Sequence, residues 1–250
     1  MLDFVELWVY LASTPLFGLA ATVVVYALAQ AIYTALGQAP WANPVLWSVV
    51  CIATVLLASG VKYPVYFAGA QFIHVLLGPA VVALAWPMWQ RKDALVRQWR
   101  HLLIASLLGG TVSVLGAFFL GQAFGLPLPV LLSLVPKSVT APVAMGVAQQ
   151  IGGIPALAAV FAVLTGMVGA ISGKYIFDWV GIARDSQGWM QRGFALGTAA
   201  HGIGAARALQ VHPDAGAYAA LALAIQVLLA SVLIPVGANV LRALFPAGLQ

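Results

Sequence analysis

A short polar stretch containing one lysine interrupts the apolar middle of this chain. The stretch, Leu134–Gly153, lies between two long apolar runs, Leu102–Val135 and Ile154–Gly173, that carry no charged residue. It contains one cation and two hydroxyls, with a proline on each side: Lys137, Ser138, Thr140, Pro136 and Pro142. Proline interrupts helical hydrogen bonding, and Ser and Thr are favoured where a helix begins. A helix start directs free N–H groups and a positive dipole end into the gap, so the stretch predicts an anion-binding site.

Lys137 also has an ordinary interpretation. A lysine near a helix end can extend its ammonium group to the headgroup region of a bilayer. The two prolines and the nearby hydroxyls of Ser133, Ser138 and Thr140 favour the anion site instead. An uncompensated cation is costly in hydrocarbon, so a lysine in this setting indicates a function.

A second set of polar residues follows in a glycine-rich segment further along the chain. His201 is followed by Gly202 and Gly204, and Arg207 comes six residues after the histidine. Six residues turn an unbroken helix by about 600°, so both side chains face one cavity only if the helix breaks at the glycines. In that case His201 is a proton carrier or ligand donor, and Arg207 binds a carboxylate. The alternatives are a histidine hydrogen-bonded between helices and an arginine at the membrane edge.

Two weaker candidates complete the predicted substrate site, His74 and Gln150. The first precedes another predicted break, Gly78 followed by Pro79, much as His201 precedes its glycines. The run 78–83, Gly-Pro-Ala-Val-Val-Ala, also resembles Ala-Pro-Val-Ala-Met-Gly at 141–146. Corresponding interrupted segments in two halves are typical of a transporter site near the bilayer midplane. We therefore expect an internal repeat, with crossing and re-entrant forms of the breaks both open.

The composition places the chain in a membrane. Of its 250 residues, 63% are hydrophobic and 7% are charged, whereas about a quarter of the residues in soluble domains are charged. Uncharged runs such as Leu7–Val61 and Ala215–Leu241 exceed the roughly 20 residues that a spanning helix needs. Apolar and polar residues do not alternate along them, which argues against a membrane β-barrel. The predicted fold is an all-α, polytopic integral membrane protein with discontinuous helices, forming one membrane domain over residues 1–250.

Several functional classes are disfavoured by the sequence. The net charge is +5, but the basic residues are thinly spread, which argues against nucleic acid binding. Cys51 is the only cysteine, so no metal-ligand spacing or redox pair is present. No nucleophile motif, carboxylate pair or phosphate-binding loop indicates an enzyme or a cofactor.

The remaining charges and glycines predict topology and assembly. The basic links Gln90–His101 and Gly181–Arg192 are expected on the cytoplasmic side. Lys174 and Asp178 are four residues apart on a helix, which predicts an ion pair at the interface. Glycine-rich spans favour close helix packing and a homodimer or larger oligomer.

At the interrupted segments the chain resembles the LrgB/CidB family, the larger membrane component of the bacterial LrgAB and CidAB systems. A plant relative of the family is the plastidal glycolate/glycerate translocator. The motifs Pro-Lys-Ser-Val-Thr, Gln-Ile-Gly-Gly-Ile-Pro and Ala-Ala-His-Gly-Ile-Gly occur in the family order, and the likeness covers nearly the whole chain from Asn43. Many members have a glutamate in the two positions before Ile-Gly-Gly, where this chain has Gln149 and Gln150. The matching runs are Gln71–Leu84, Leu134–Leu157 and Arg192–Leu209.

The resemblance implies two different functions. The plant relative and similar bacterial systems move small monocarboxylates such as glycolate, glycerate or pyruvate. Other bacterial members are holin-like or antiholin-like modulators of murein hydrolase activity and autolysis. The resemblance also implies a multi-pass protein of the bacterial inner membrane with a small LrgA/CidA-like membrane partner. The polar breaks favour a proton-coupled carrier of small carboxylates, because a lesion-forming protein needs amphipathic surfaces rather than a buried cation.

Overall fold

The computed structural model describes residues 15–76, 79, 82, 83 and 85–244, and over these residues it contains helices and turns but no strand. The prediction of an all-α fold is confirmed. A 3₁₀ turn covers Pro40–Ala42. The α-helices are α1 Pro15–Ala35, α2 Pro44–Ser59, α3 Tyr63–Val75, α4 Ala85–Gln90, α5 Lys92–Arg97, α6 Trp99–Ala123, α7 Leu128–Leu134, α8 Ala141–Ile151, α9 Pro155–Trp179, α10 Ser186–Val211 and α11 Pro213–Leu244.

Among the residues that the structure describes, four segments are long and apolar enough to cross a membrane: Phe17–Ala35, Trp99–Ala123, Pro155–Trp179 and Pro213–Val240. Large apolar side chains on these helices are exposed, among them Leu108, Val168 and Leu228. Such surfaces are rare on soluble monomers and are expected where helices contact lipid. The protein is a multi-pass membrane protein.

The chain divides into two compact units, Met1–Ala83 and Leu84–Gln250. In the first unit α1 crosses α3 closely at Gly18. A side chain at this position would lie 2.0 Å from the carbonyl oxygen of Tyr66, so only glycine permits the contact. The hydroxyl groups of Thr22 and Tyr66 are 2.7 Å apart at this crossing. The break predicted at Gly78 and Pro79 stays a prediction, since Gly78 lies outside the described residues.

In its described residues the second unit contains the long helices α6, α9 and α11. One pair of shorter helical arms lies between α6 and α9 in the chain, and a second pair lies between α9 and α11. The first pair, called hairpin 1, consists of α7, the turns at 135–140 and α8. After α8 the chain returns to α7, since the backbone N–H of Ile154 donates to the Ser133 hydroxyl at 2.7 Å. Gly153 permits this approach, because a side chain there would lie 2.9 Å from the backbone nitrogen of Ser133.

The second pair, called hairpin 2, is α10, which reverses direction at its middle. Ala200 (φ −120°, ψ 15°) and His201 (φ 40°, ψ −133°) leave helical geometry, and separate an arm at 186–199 from an arm at 202–211. The rings of Trp189 and His212 stack with centroids 5.1 Å apart. In a straight helix their 23-residue separation would be about 34 Å. The chain therefore enters and leaves at the same end, so the open alternative of crossing or re-entry is resolved here as re-entry.

The two hairpins enter the unit from opposite ends. Hairpin 1 begins where α6 ends and returns to where α9 begins, whereas hairpin 2 begins where α9 ends and returns to where α11 begins. Each of the three long helices crosses the full depth, so these two ends lie on opposite faces. Arg91 before α6 pairs with Asp214 at the start of α11, which places both residues at the hairpin 2 face.

Three local predictions need correction. The links predicted at Gln90–His101 and Gly181–Arg192 are largely helical, since α5, the start of α6 and the start of α10 lie in them. The prediction of an ion pair between Lys174 and Asp178 is wrong, because the Asp178 carboxylate pairs with the guanidinium groups of Arg184 and Arg192 instead. The break expected at the second glycine segment lies one residue earlier. Gly202 and Gly204 are helical, and the backbone reverses at Ala200 and His201.

Re-entry of hairpin 2 has a direct topological test. We expect Val96→Cys, Ser186→Cys and Val211→Cys, each made in a Cys51→Ala background, to react with a membrane-impermeant maleimide from one and the same side. All three positions are exposed at the hairpin 2 face. By the charge rule that side is cytoplasmic. Labelling of positions 186 and 211 from opposite sides would mean that α10 crosses the membrane.

Candidate functional site

Lys137 lies at the tip of hairpin 1, in contact with the middle of α6. Its Nζ donates to the Ser113 hydroxyl at 2.7 Å and approaches the Ser113 carbonyl oxygen at 3.4 Å. The Ser113 and Ser138 hydroxyls are also 2.7 Å apart. Ser113 follows Trp99 by 14 residues, which is about 21 Å along the 25-residue helix. The ammonium group is thus held near mid-depth of a spanning helix.

This cation has no acidic partner among the described residues. Asp178 and Asp214 pair with arginines, and Asp185 accepts a hydrogen bond from the Gly188 N–H at the start of α10. Asp93 lies in the first turn of α5, and Asp3 and Glu6 are outside the described residues. A half-buried charge without a counter-ion is costly in a poorly hydrated setting. An anion supplied from solution would offset that cost.

The hydroxyls and the helix start at the same tip add hydrogen-bond capacity. Thr140 precedes the first residue of α8 in an extended conformation, and its side chain makes no capping hydrogen bond. Pro136 follows the end of α7, where it stops the helix from continuing. Pro142 lies in the first turn of α8 and has no backbone N–H. The Ala144 N–H bonds the Thr140 carbonyl at 2.8 Å, which closes the first helical turn. The turn at 137–140 therefore holds three residues that were predicted together from the sequence: Lys137, Ser138 and Thr140.

His201 lies at the tip of hairpin 2 and is 3% exposed. Its Nε2 is 2.7 Å from the Ala162 carbonyl oxygen of α9. A carbonyl only accepts, so Nε2 carries the hydrogen and Nδ1 is the nitrogen able to take up a proton. The ring fills the space above Gly166, where an added side chain would lie 2.9 Å from two ring atoms. The positive φ of a non-glycine residue is strained, and such strain is concentrated at functional sites.

Both hairpin tips contact the same part of α9. Val139 and Ala144 of hairpin 1 pack in one buried cluster with Ala158 and Ala162. The Ala162 carbonyl oxygen in turn accepts from His201 of hairpin 2. The two tips thus approach from opposite faces and meet inside the unit, as broken helices do around transporter sites.

The sequence interpretation missed a polar stripe on the inner face of α6. Ser106, Gly109, Gly110 and Ser113 recur at helical spacing, so they share one face. A side chain at Gly109 would lie 3.0 Å from the Thr198 methyl group, and one at Gly110 would lie 2.7 Å from the Gln226 amide oxygen. Neutral residues in an apolar helix give a weak signal, and the glycines had been interpreted only as packing sites.

Two further predicted site residues, Gln150 and Arg207, do not lie at the tip of hairpin 1. Gln150 is exposed and follows Ala141 by nine residues, about 14 Å along α8. Arg207 is buried in the returning arm of hairpin 2. The side chain of His74 lies outside what the structure describes. Over the described residues, no three His, Cys, Asp or Glu side chains group as metal ligands.

Comparison with known proteins identifies the family. The family model described as LrgB-like matches residues 22–240. The holin-like protein CidB of Staphylococcus epidermidis is 31% identical over 216 residues, covering 86% of this chain and 92% of that protein. CidB of Staphylococcus aureus is 30% identical over 197 residues, covering 79% and 84%.

A Bacillus subtilis protein named YxaC is 37% identical over 171 residues, covering 68% of this chain and 73% of that protein. No solved structure matches the chain. The matched residues of the family model include both hairpins, α6, α9 and most of α11. The chain therefore belongs to the LrgB-like family.

Proposed function

We propose that this protein carries small carboxylate anions, of the glycolate, glycerate or pyruvate class, across the bacterial membrane. The observation that carries the proposal is the Lys137 ammonium group, half-buried near mid-depth and without a described acidic partner. A carboxylate bound there replaces the neutral Ser113 hydroxyl as the acceptor, so that the hydrogen bond from Lys137 joins two opposite charges. Ser138, Thr140 and the free N–H groups at the start of α8 add further donors.

Proton coupling is assigned to His201 in this proposal. Its Nδ1 is available to a proton while Nε2 stays bonded to Ala162. Protonation places a second positive charge at the meeting point of the two tips, and so favours the anion-loaded state. Deprotonation removes that charge and favours release. The proton and the anion then move in the same direction.

Alternate exposure follows from the opposite entry of the hairpins. Each hairpin opens to its own face, so a movement of either one against α9 exposes the tips to that face. The small membrane partner implied by the family resemblance, and a homo-oligomer built on the glycine-rich spans, are part of the same proposal.

A second candidate function is a holin-like role in controlling murein hydrolase activity and autolysis. The two staphylococcal relatives are named holin-like proteins, which favours it. In that role the protein acts through oligomers that permeabilise the membrane, and Lys137 needs no specific ligand.

One experiment separates the two functions. We expect purified protein in liposomes, alone or with its small membrane partner, to take up labelled glycolate, glycerate or pyruvate while retaining a large encapsulated dye. An imposed inward proton gradient should increase the initial rate, because the proton and anion move together. Dye release without uptake of any of the three anions would overturn the carrier in favour of the holin-like role.

A further inference from the structure

A long cavity of about 510 Å³ lies between α6 and α11, and its lining does not include Lys137, Ser113 or Ser138. Its walls run from Ser106 to Phe119 on α6 and from Gln226 to Ala238 on α11, with Val135 of hairpin 1 along one side. Each wall extends about 18–20 Å along its helix. The cavity is therefore elongated along the helices, and its volume is in the range of small-molecule sites.

The two ends of the cavity differ in chemistry. At one end, Ser106 is fully buried, and its hydroxyl has no hydrogen-bond partner within the described part of the chain. Gln226 beside it is 4% exposed and donates its amide N–H to the Ser106 carbonyl at 2.6 Å. The other described lining residues are almost entirely apolar, and none of them is charged. A buried hydroxyl without a partner is destabilising unless something occupies the space and bonds it.

We propose that this cavity binds an elongated, uncharged, lipid-soluble molecule with a single hydroxyl or carbonyl end group, which bonds the Ser106 hydroxyl. The uncharged lining excludes a carboxylate or a phosphate, because burying either without a partner is costly. Ser106 is seven residues, about 10 Å, inward from Trp99, so its partner lies below the headgroup region. The ligand's chain fills the apolar length between the two helices, and it touches the hairpin that carries Lys137 through Val135.

The site can be tested with a photoreactive probe, a 16-carbon alcohol bearing a diazirine in its chain. We expect the probe, added to the protein in nanodiscs, to label α6 and α11 residues that line the cavity. Gly237→Leu should reduce this labelling to background, because Gly237 lines the cavity and a side chain there meets open space. The matched control is Gly116→Leu, whose side chain also meets nothing within 4 Å but lies outside the lining.

A separate variant tests the proposed hydrogen bond between the ligand and the Ser106 hydroxyl. Ser106→Ala should weaken probe binding roughly fivefold and yet raise the melting temperature of the probe-free protein, because the unpaired hydroxyl is removed. Three results would overturn the proposal: equal labelling of all lipid-facing helices, equal labelling by the 16-carbon carboxylate, or disulfide cross-linking of two copies through a cysteine introduced at this face in a Cys51→Ala background. Equal labelling of all lipid-facing helices would indicate that the probe reports bulk lipid. Cross-linking of two copies would indicate that this face is a dimer interface.

Discussion

Lys137→Ala should reduce carboxylate uptake in liposomes to the level of protein-free vesicles. Loss of a charge-assisted hydrogen bond in a poorly hydrated site costs about 3 kcal/mol, which is roughly a 100-fold loss of affinity. Water cannot replace the ammonium group there, since the tip is packed against α6 and α9. Lys137→Arg should retain part of the uptake, because the charge is kept while the donor geometry changes.

The matched control removes an ordinary cation. Lys174 is exposed, and its ammonium lies 5.6 Å from the Tyr175 ring centroid. Lys174→Ala should leave both the initial uptake rate and its concentration dependence unchanged. Full uptake by a folded Lys137→Ala protein would leave a carrier in place but move the anion site elsewhere.

Gly197→Ala should push hairpin 2 away from α11 and lower the stability of the folded protein. A side chain at Gly197 would lie 2.2 Å from the Ala219 carbonyl oxygen and 2.7 Å from its Cα. Both are backbone atoms, so the clash is relieved only by moving one helix away from the other. Overpacking of this kind typically costs about 1–3 kcal/mol, equivalent to a fall of roughly 5–10 °C in melting temperature for a chain of this size.

Thermal unfolding of the detergent-solubilised protein, followed by size-exclusion chromatography, measures this effect. Gly202→Ala is the control, because Gly202 is helical and a side chain there meets nothing within 4 Å. We expect it to melt at or slightly above the wild-type temperature, since alanine is the better helix former. Equal melting of both variants would contradict the described contact between α10 and α11.

The membrane character and the first break were predictable because their signals are strong and local. A lysine between two prolines in an uncharged run marks both an interruption and a charge that needs a partner. Ser113 could not be identified in the same way. It is a neutral residue in an apolar helix, and only the three-dimensional contact with Lys137 distinguishes it.

A break in α10 was predicted from Gly202 and Gly204, but the sequence left the choice between crossing and re-entry open. The 26 residues of α10 are long enough to cross a membrane, so re-entry depends on features that a linear pattern does not contain. These are the positive φ of His201 and the close backbone contacts of Gly193 and Gly197 with α11. The error on Asp178 has a related cause. Helical spacing favoured Lys174, but the fold brings Arg192 from the next helix to the carboxylate.

Hairpin 2 has a consequence for how the protein is made. The segment is rich in small and polar residues, and it is not among the candidate spanning helices. The insertion machinery selects segments by their apolar content, so this one has little tendency to partition into lipid on its own. It must enter the membrane by docking onto α9 and α11 after both are inserted. Until α11 has been synthesised, hairpin 2 therefore has no complete docking surface. Chains truncated before Pro213 should be substrates for membrane quality-control proteases.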